Sequence, residues 1–299
     1  MPTPVAAKAH PKGPKPKHLT ASRIGVYAFV LLSCAFFLMP LYIMLVTSFK
    51  TLAQIRLSQI FALPTTLTLE PWVAAWSSAC TGLSCEGLRV GFLNSVMITV
   101  PSVILSILAG AILGYSLSLW RPKGSNILFG FLLAGAFLPY QVFIYPLVRI
   151  YAYLSMYGTL FNIVTVHVLF GMPVMTLIFR NYFASLPEEL FKAARVDGAG
   201  FWRIFFSIML PLSTPIVIVA VILQVTGVWN DFLLGTVFAG QDNWPMTVQL
   251  NNIVNTTEGA RSYNVDMAAT ILTAAVPLTV YFLSGRWFVR GIAAGAVKG

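Results

Sequence analysis

Charged residues are scarce in this sequence. Only 9% of its 299 residues are Asp, Glu, Lys or Arg, against roughly 25% in an ordinary soluble domain. With 58% hydrophobic residues, a soluble fold has too little polar surface to cover its apolar content. Cysteines number three, too few for a disulfide scaffold. The three histidines, His10, His18 and His167, come with no H-E-x-x-H, Cys/His cluster or Ser/His/Asp spacing, so neither a metal site nor a catalytic residue is expected. No G-x-x-x-x-G-K-[ST] stretch occurs, which excludes a P-loop. What is present in quantity is apolar sequence, and the fold class it implies is an all-α polytopic membrane protein.

Six stretches are apolar and long enough to cross about 30 Å of hydrocarbon: residues 24–47, 91–119, 127–148, 159–180, 212–235 and 266–288. Pro40, Pro101, Pro139, Pro173 and Pro277 fall inside them. Membrane helices tolerate proline where neighbours satisfy the freed backbone groups. The chain then divides into a basic tail (1–23) expected to be disordered, a six-helix transmembrane body (24–290) and a short C-terminal tail (291–299).

The net charge of +10 sorts by loop. The N-terminal tail, the connections from span two to three and from four to five, and the C-terminus hold fourteen basic residues and three acids. The opposite loops hold five basic residues and six acids. By the positive-inside rule both termini are cytoplasmic, which an even number of spans requires. This asymmetry explains the basic surplus by topology and contact with membrane lipid, and no nucleic acid is expected as a partner. No acidic residue falls at the middle of a span, so the sequence offers no carboxylate for ion coupling. His167, inside the fourth span, reads either as a functional group or as a neutral imidazole bonded to a neighbouring helix; the second is the simpler expectation.

The connection 184–211 carries the strongest signal. Ser185 and Glu188 have capping-box spacing, and a short helix is expected over residues 186–196, acidic at its start and basic at its end. Asp197-Gly198 ends it, and a second helix starts near Ala199. Ala193 and Ala194 beside the turn would let another surface approach closely. Read from the residues alone, the loop is either a docking surface or an interfacial connector.

Ala193, Ala194, Asp197, Gly198, Ala199, Leu210 and Pro211 resemble the cytoplasmic E-A-A-x-x-D-G-A…L-P loop of ATP-binding-cassette importer permeases, with Lys192 in place of the glutamate. The ending R-W-F-V-R-G-I-A-A-G-A-V-K-G, F-L-N-S at 92–95 and W-N-D-F at 229–232 resemble maltose-type carbohydrate importers. The general character of the chain is most similar to glucose/mannose systems. The resemblance implies a sugar permease of the cell inner membrane that catalyses nothing itself. Its partners would be a second permease subunit forming a heterodimer, an ATPase dimer and a periplasmic or extracellular sugar-binding protein. ATP and Mg would be bound by the ATPase, with no cofactor on this chain. Lys192 through Ala194 and Asp197 through Ala199 would couple to the ATPase, as would Gly295, Ala296, Val297, Lys298 and Gly299 of the tail. The residues alone leave two other readings: an ion-coupled secondary carrier, and a membrane scaffold recruiting a soluble partner.

On the outer side, Cys80 and Cys85 lie five residues apart and are either bridged or two free thiols. The connection 239–265 is read as a polar loop in which Trp244, Asn251 and Asn252 are candidates for contact with the binding protein. Gln224, Trp229 and Asn230 form a polar patch in span five and are candidates for the substrate path.

Overall fold

The computed structural model describes residues 21–57, 59–82, 84–255 and 261–296, with side chains as far as Gly285. Among them the regular structure is entirely helical. Helix α1 (Ala21–Ser48) is followed by two short outer helices, α2 (Leu52–Leu57) and α3 (Glu70–Ser77). Helix α4 (Arg89–Tyr115) ends in a wide π turn, Ser116–Trp120. Next come α5 (Ser125–Phe137), α6 (Gln141–Tyr153) and α7 (Leu160–Ser185). The connection that follows holds α8 (Glu188–Val196), α9 (Phe201–Ile204), a second π turn (Phe205–Met209) and α10 (Leu210–Leu212). Helices α11 (Thr214–Trp229), α12 (Leu233–Phe238), α13 (Met246–Asn255) and α14 (Tyr263–Ala296) complete the chain.

Among the described residues, four uninterrupted segments are long and apolar enough to span a bilayer: Ser22–Ser48, Arg89–Trp120, Leu160–Ser185 and Tyr263–Gly285. The expected third and fifth spans are broken. Residues 125–153 bend by 103° between α5 and α6, because the residue before a proline is pushed out of the helical region. That residue is Leu138, extended at ψ 134° ahead of Pro139. The stretch 201–229 bends by 78° at Ser213, between Pro211 and Pro215. Helix α11 also stops at Trp229, short of the expected 235, and Asp231 Oδ2 accepts from Gly235 N at 2.9 Å to start α12. With each bent pair counted as one crossing there are six spans, otherwise four.

The centre of the molecule is the pair α4 and α7. Ser102, Ser106, Gly110 and Gly114 recur every four residues and form one face of α4, all buried. Small side chains on such a stripe let two membrane helices come together backbone to backbone. A Cβ on Gly110 would lie 2.4 Å from Met175 Cβ, and one on Gly114 would lie 2.6 Å from Arg180 N. Beyond the stripe, Tyr115, Phe179, Phe183 and Phe205 form an aromatic core at the end that carries α8. At the opposite end, Leu88, Trp229, Met246 and Ala268 make a second core. Helix α1 stays outside both, with Phe29 and Phe37 more than 70% exposed.

Three expectations change on this frame. The 239–265 connection contains helix α13 and is fastened at several points to the start of α4. Ser185 lies on the last turn of α7, where its hydroxyl donates to Tyr182 O, and α8 starts three residues later with Pro187 at its N-cap, after Pro187 holds Leu186 extended. Helix α14 continues to Ala296, so residues 291–296 of the expected tail are helical.

Gly114→Leu is expected to lower stability by about 1–3 kcal/mol, the usual cost of overpacking a close contact. Gly130, whose Cβ would meet nothing within 4 Å, is the control. Thermal unfolding of the purified protein should show a fall for Gly114→Leu alone, and equal midpoints for both variants would refute the close-contact reading. Cys80 and Cys85 are joined as a disulfide and Cys34 is free. Alkylation of the unfolded chain should therefore label one cysteine before reduction and three after.

Candidate functional site

The helix α8 turns one face inward and one outward. Ala194 is buried and Phe191 half-buried, while Lys192, Ala193, Arg195, Val196 and Asp197 are exposed. Val196, an apolar side chain, is 87% exposed at the last turn. Lys192 Nζ pairs with Glu188 Oε2 at 3.4 Å across one turn of the helix. Exposed pairs of this kind are worth about 0.3–0.5 kcal/mol. The lysine at the glutamate position is thus matched by a carboxylate of its own helix.

The turn after α8 has a defined geometry. Gly198 has φ +75°. Its N–H donates to Arg195 O at 3.1 Å, and Ala199 N–H donates to Ala194 O at 3.0 Å. These two bonds close a Schellman motif, which requires a left-handed residue at that point. No atom lies within 4 Å of where a Gly198 Cβ would be, so backbone conformation, and not crowding, selects glycine here.

Beneath this loop is an aromatic socket. Tyr115, fully buried at the end of α4, lies 4.8 Å from the Phe201 ring, 5.5 Å from Phe205 and 6.4 Å from Phe191. Its hydroxyl donates to Phe201 O at 3.3 Å. Trp120, at the end of the first π turn, lies 5.6 Å from Phe191 and 5.4 Å from Phe201. The Arg195 guanidinium sits 4.4 Å over the Trp120 ring, a cation–π contact joining the last turn of α8 to α4. Phe183 of α7 closes the socket 6.1 Å from Tyr115. The wide turns at Ser116–Trp120 and Phe205–Met209 flank this contact, and such turns are frequent at functional positions. Packed rings therefore join α8 to the ends of α4 and α7.

The other candidates are distributed differently. Gln224 is buried and its Nε2 donates to Ser106 Oγ at 3.1 Å. Trp229 is 2% exposed and donates to Thr273 O at 3.0 Å. Both bond to other helices, and Asn230 alone of the three is exposed. Trp244 is half-buried against the apolar cluster that contains Phe238 and Leu234, and its carbonyl accepts from Asn94 Nδ2. Asn252 Nδ2 donates to Thr81 O at 3.0 Å, and Asn251 is exposed, with its side-chain oxygen accepting from Asn255. Gln249, expected as a loop amide, is buried and accepts from Gly91 N at 2.8 Å. His167 is buried with Nε2 3.9 Å from Asp231 Oδ2. Gly295 and Ala296 are on the last turn of α14, whereas Val297, Lys298 and Gly299 lie outside the described residues. Tyr115, Trp120, Phe191 and Phe201 were not singled out by sequence. For three of them the signal was the clustering of rings in Y-S-L-S-L-W and F-W-R-I-F-F, on either side of the α5–α7 region.

Comparison with known proteins agrees with this layout. Residues 91–294 match the family described as binding-protein-dependent transport system inner membrane component. The osmoprotective compounds uptake permease protein GgtD of Synechocystis sp. is 34% identical over 218 residues, covering 72% of each chain. The melibiose/raffinose/stachyose import permease protein MelC of Bacillus subtilis is 30% identical over 279 residues, 93% of this chain and 97% of that one. The xylose/arabinose import permease protein XacI of Haloferax volcanii is 30% identical and covers 90% of this chain and 92% of its own. A chain of a bacterial ABC transporter involved in the import of alginate superposes with a TM-score of 0.74 at 20% identity, covering 91% of this chain and 99% of that one, a likeness of fold. The protein belongs to the family of binding-protein-dependent inner-membrane transport components, as a multi-pass permease subunit that is not itself an enzyme.

Proposed function

We propose that this chain is the permease subunit of an ATP-driven importer for a sugar or a closely related polyhydroxyl compound. It would pair with a second permease, two copies of an ATPase that hold ATP and Mg, and a soluble binding protein outside. The observation that carries the mechanism is the seat of α8 on the Tyr115–Trp120–Phe201 socket. The outward face of α8 offers Ala193, Val196 and the Gly198 turn to the ATPase, while the inward face is locked to α4 and α7. Closure of the ATPase dimer would displace α8, and the stiff pair α4–α7 would carry that displacement across the membrane. Both termini and the coupling loop would then be cytoplasmic, as the distribution of basic residues requires.

The substrate class is supported by the relatives, whose names include melibiose, raffinose, stachyose, xylose and arabinose. None of the three relatives described above is named for glucose or mannose, so these two belong in a panel and not in the assignment. On the outer side, Asn230 and Asn251 remain exposed for contact with the sugar or the binding protein. The direct test is ATP hydrolysis by the reconstituted complex with a panel of mono- and oligosaccharides and the binding protein. Stimulation by at least one sugar or related polyhydroxyl compound supports the assignment, and stimulation only by a solute of neither kind contradicts it.

Two variants test the coupling loop. Gly198→Val places a β-branched residue at positive φ, a strain of about 1–3 kcal/mol, and should reduce co-purification of the ATPase. Gly198→Asn, which tolerates that conformation, should restore most of it; equal recovery in all three proteins would oppose docking at this turn. Trp120→Ala should keep the ATPase bound while lowering sugar-stimulated hydrolysis several-fold, since it empties the socket and frees Arg195. Unchanged stimulation would remove Trp120 from the coupling route.

A further inference from the structure

A crevice runs between α5 and α7, starting at the end of the molecule that carries α8. Its first part is a cavity of about 600 Å³ lined by Arg121, Arg180, Ser118, Ser125, Asn126 and Ala184, among others, with no acidic residue in its wall. Two side chains make it basic. Arg121 sits at φ +47° on the turn after α4 and donates through Nε to Ser118 O at 2.7 Å. Arg180 stacks 3.9 Å over the Phe129 ring, and its buried Nε has no hydrogen-bond partner. An unpaired buried guanidinium N–H is costly unless an anion completes it. Helix α5 also begins at the rim, behind the left-handed Gly124, and adds the positive end of its dipole.

A second, apolar cavity of about 360 Å³ lies further along α5 and α7, lined by Leu128, Phe131, Leu132, Phe170, Met172 and Pro173; on α5 its Leu128 is next in sequence to Ile127 of the basic cavity. Phe131 is 73% exposed and Ile127 68%, so the flank of α5 is open. The result is a basic cavity at one depth and a separate apolar cavity nearer the bend at Pro139. A soluble anion would use the basic cavity alone; a phospholipid fits both.

We infer that the α5–α7 crevice binds one anionic phospholipid of the cytoplasmic leaflet, its phosphate between Arg121 and Arg180 and an acyl chain along Leu128–Phe131. The inference rests on the orientation read from the basic loops, which puts this end of the helices in the leaflet that faces the cytoplasm. The occupant would wedge between α5 and α7 beside Gly114, where α4 touches the Arg180 backbone. Lipid composition would thereby act on the helix pair that serves the coupling loop.

The test uses the assembled, full-length complex in neutral detergent and native mass spectrometry. The probes are palmitoyl-oleoyl phosphatidylglycerol, phosphatidylcholine with the same chains, and inorganic phosphate. Wild type should retain one copy of the phosphatidylglycerol about thirtyfold more than phosphatidylcholine, the size expected of two arginines at a lipid surface. The double variant Arg121→Gln/Arg180→Gln should lose that preference. Gly135→Trp, which fills the apolar cavity at a position with no atom within 4 Å of its Cβ, should reduce retention with both arginines intact. Retention equal to wild type in the double variant overturns the site. Displacement of the lipid by phosphate alone shows a soluble anion instead, and a photo-cross-linker at Ile127 capturing the second permease shows a protein occupant; either overturns the lipid assignment. Labelling of Lys123→Cys by an impermeant maleimide from the outside would instead refute the orientation, independently of lipid retention.

Discussion

Everything in this protein depends on how closely α4 and α7 approach. Gly110 and Gly114 leave no room for a side chain between the two backbones, with neighbouring atoms 2.4 and 2.6 Å from the missing Cβ positions. In a membrane there is little hydrophobic drive to pull helices together, so close van der Waals packing and buried hydrogen bonds must do it. The bond from Gln224 to Ser106 adds α11 to the same stripe, and the bonds from Gln249 and Ser95 attach the outer helix α13 to the start of α4. One helix thereby contacts the coupling end, the middle and the outer end.

That arrangement gives the proposed mechanism its lever. Rings are well suited to transmitting displacement because they are bulky and have few rotatable bonds. The socket of Tyr115, Trp120, Phe191 and Phe201 places them where α8 meets α4. The flanking π turns provide places where the helices can adjust without losing their backbone bonds. Helix α1 is exposed along most of its apolar length and is buried only near its end, at Val46, Thr47 and Ser48, where the chain packs beside α14. The α5–α7 crevice lies directly beside the α4–α7 pair, which is why its occupant bears on coupling.

How much of this was legible in the sequence differs by feature. Long apolar runs identified the uninterrupted spans because composition alone decides them. The turn at Asp197-Gly198 was legible because a positive φ leaves few residue choices. The break at Leu138–Pro139 was harder, since membrane helices keep many of their prolines: Pro40, Pro101, Pro173 and Pro277 all remain inside helices here. The polar residues misled for another reason. An amide that lines a path and one that bonds two helices look alike in one dimension, and Gln224, Gln249 and Asn252 are used for bonding. The socket was missed because its rings come from both sides of the α5–α7 region and meet only in three dimensions.

The central claim is that α8 moves with α4 and α7 as one body when the ATPase closes. Spin labels at Val196 on α8 and Leu93 on α4, both exposed, would report it in the assembled complex by pulsed electron–electron distance measurement. The account predicts the same distance distribution in the nucleotide-free and ATP-bound states. A shift between the two states larger than the spread of the label's own rotamers would show α8 sliding on its socket, and would contradict it.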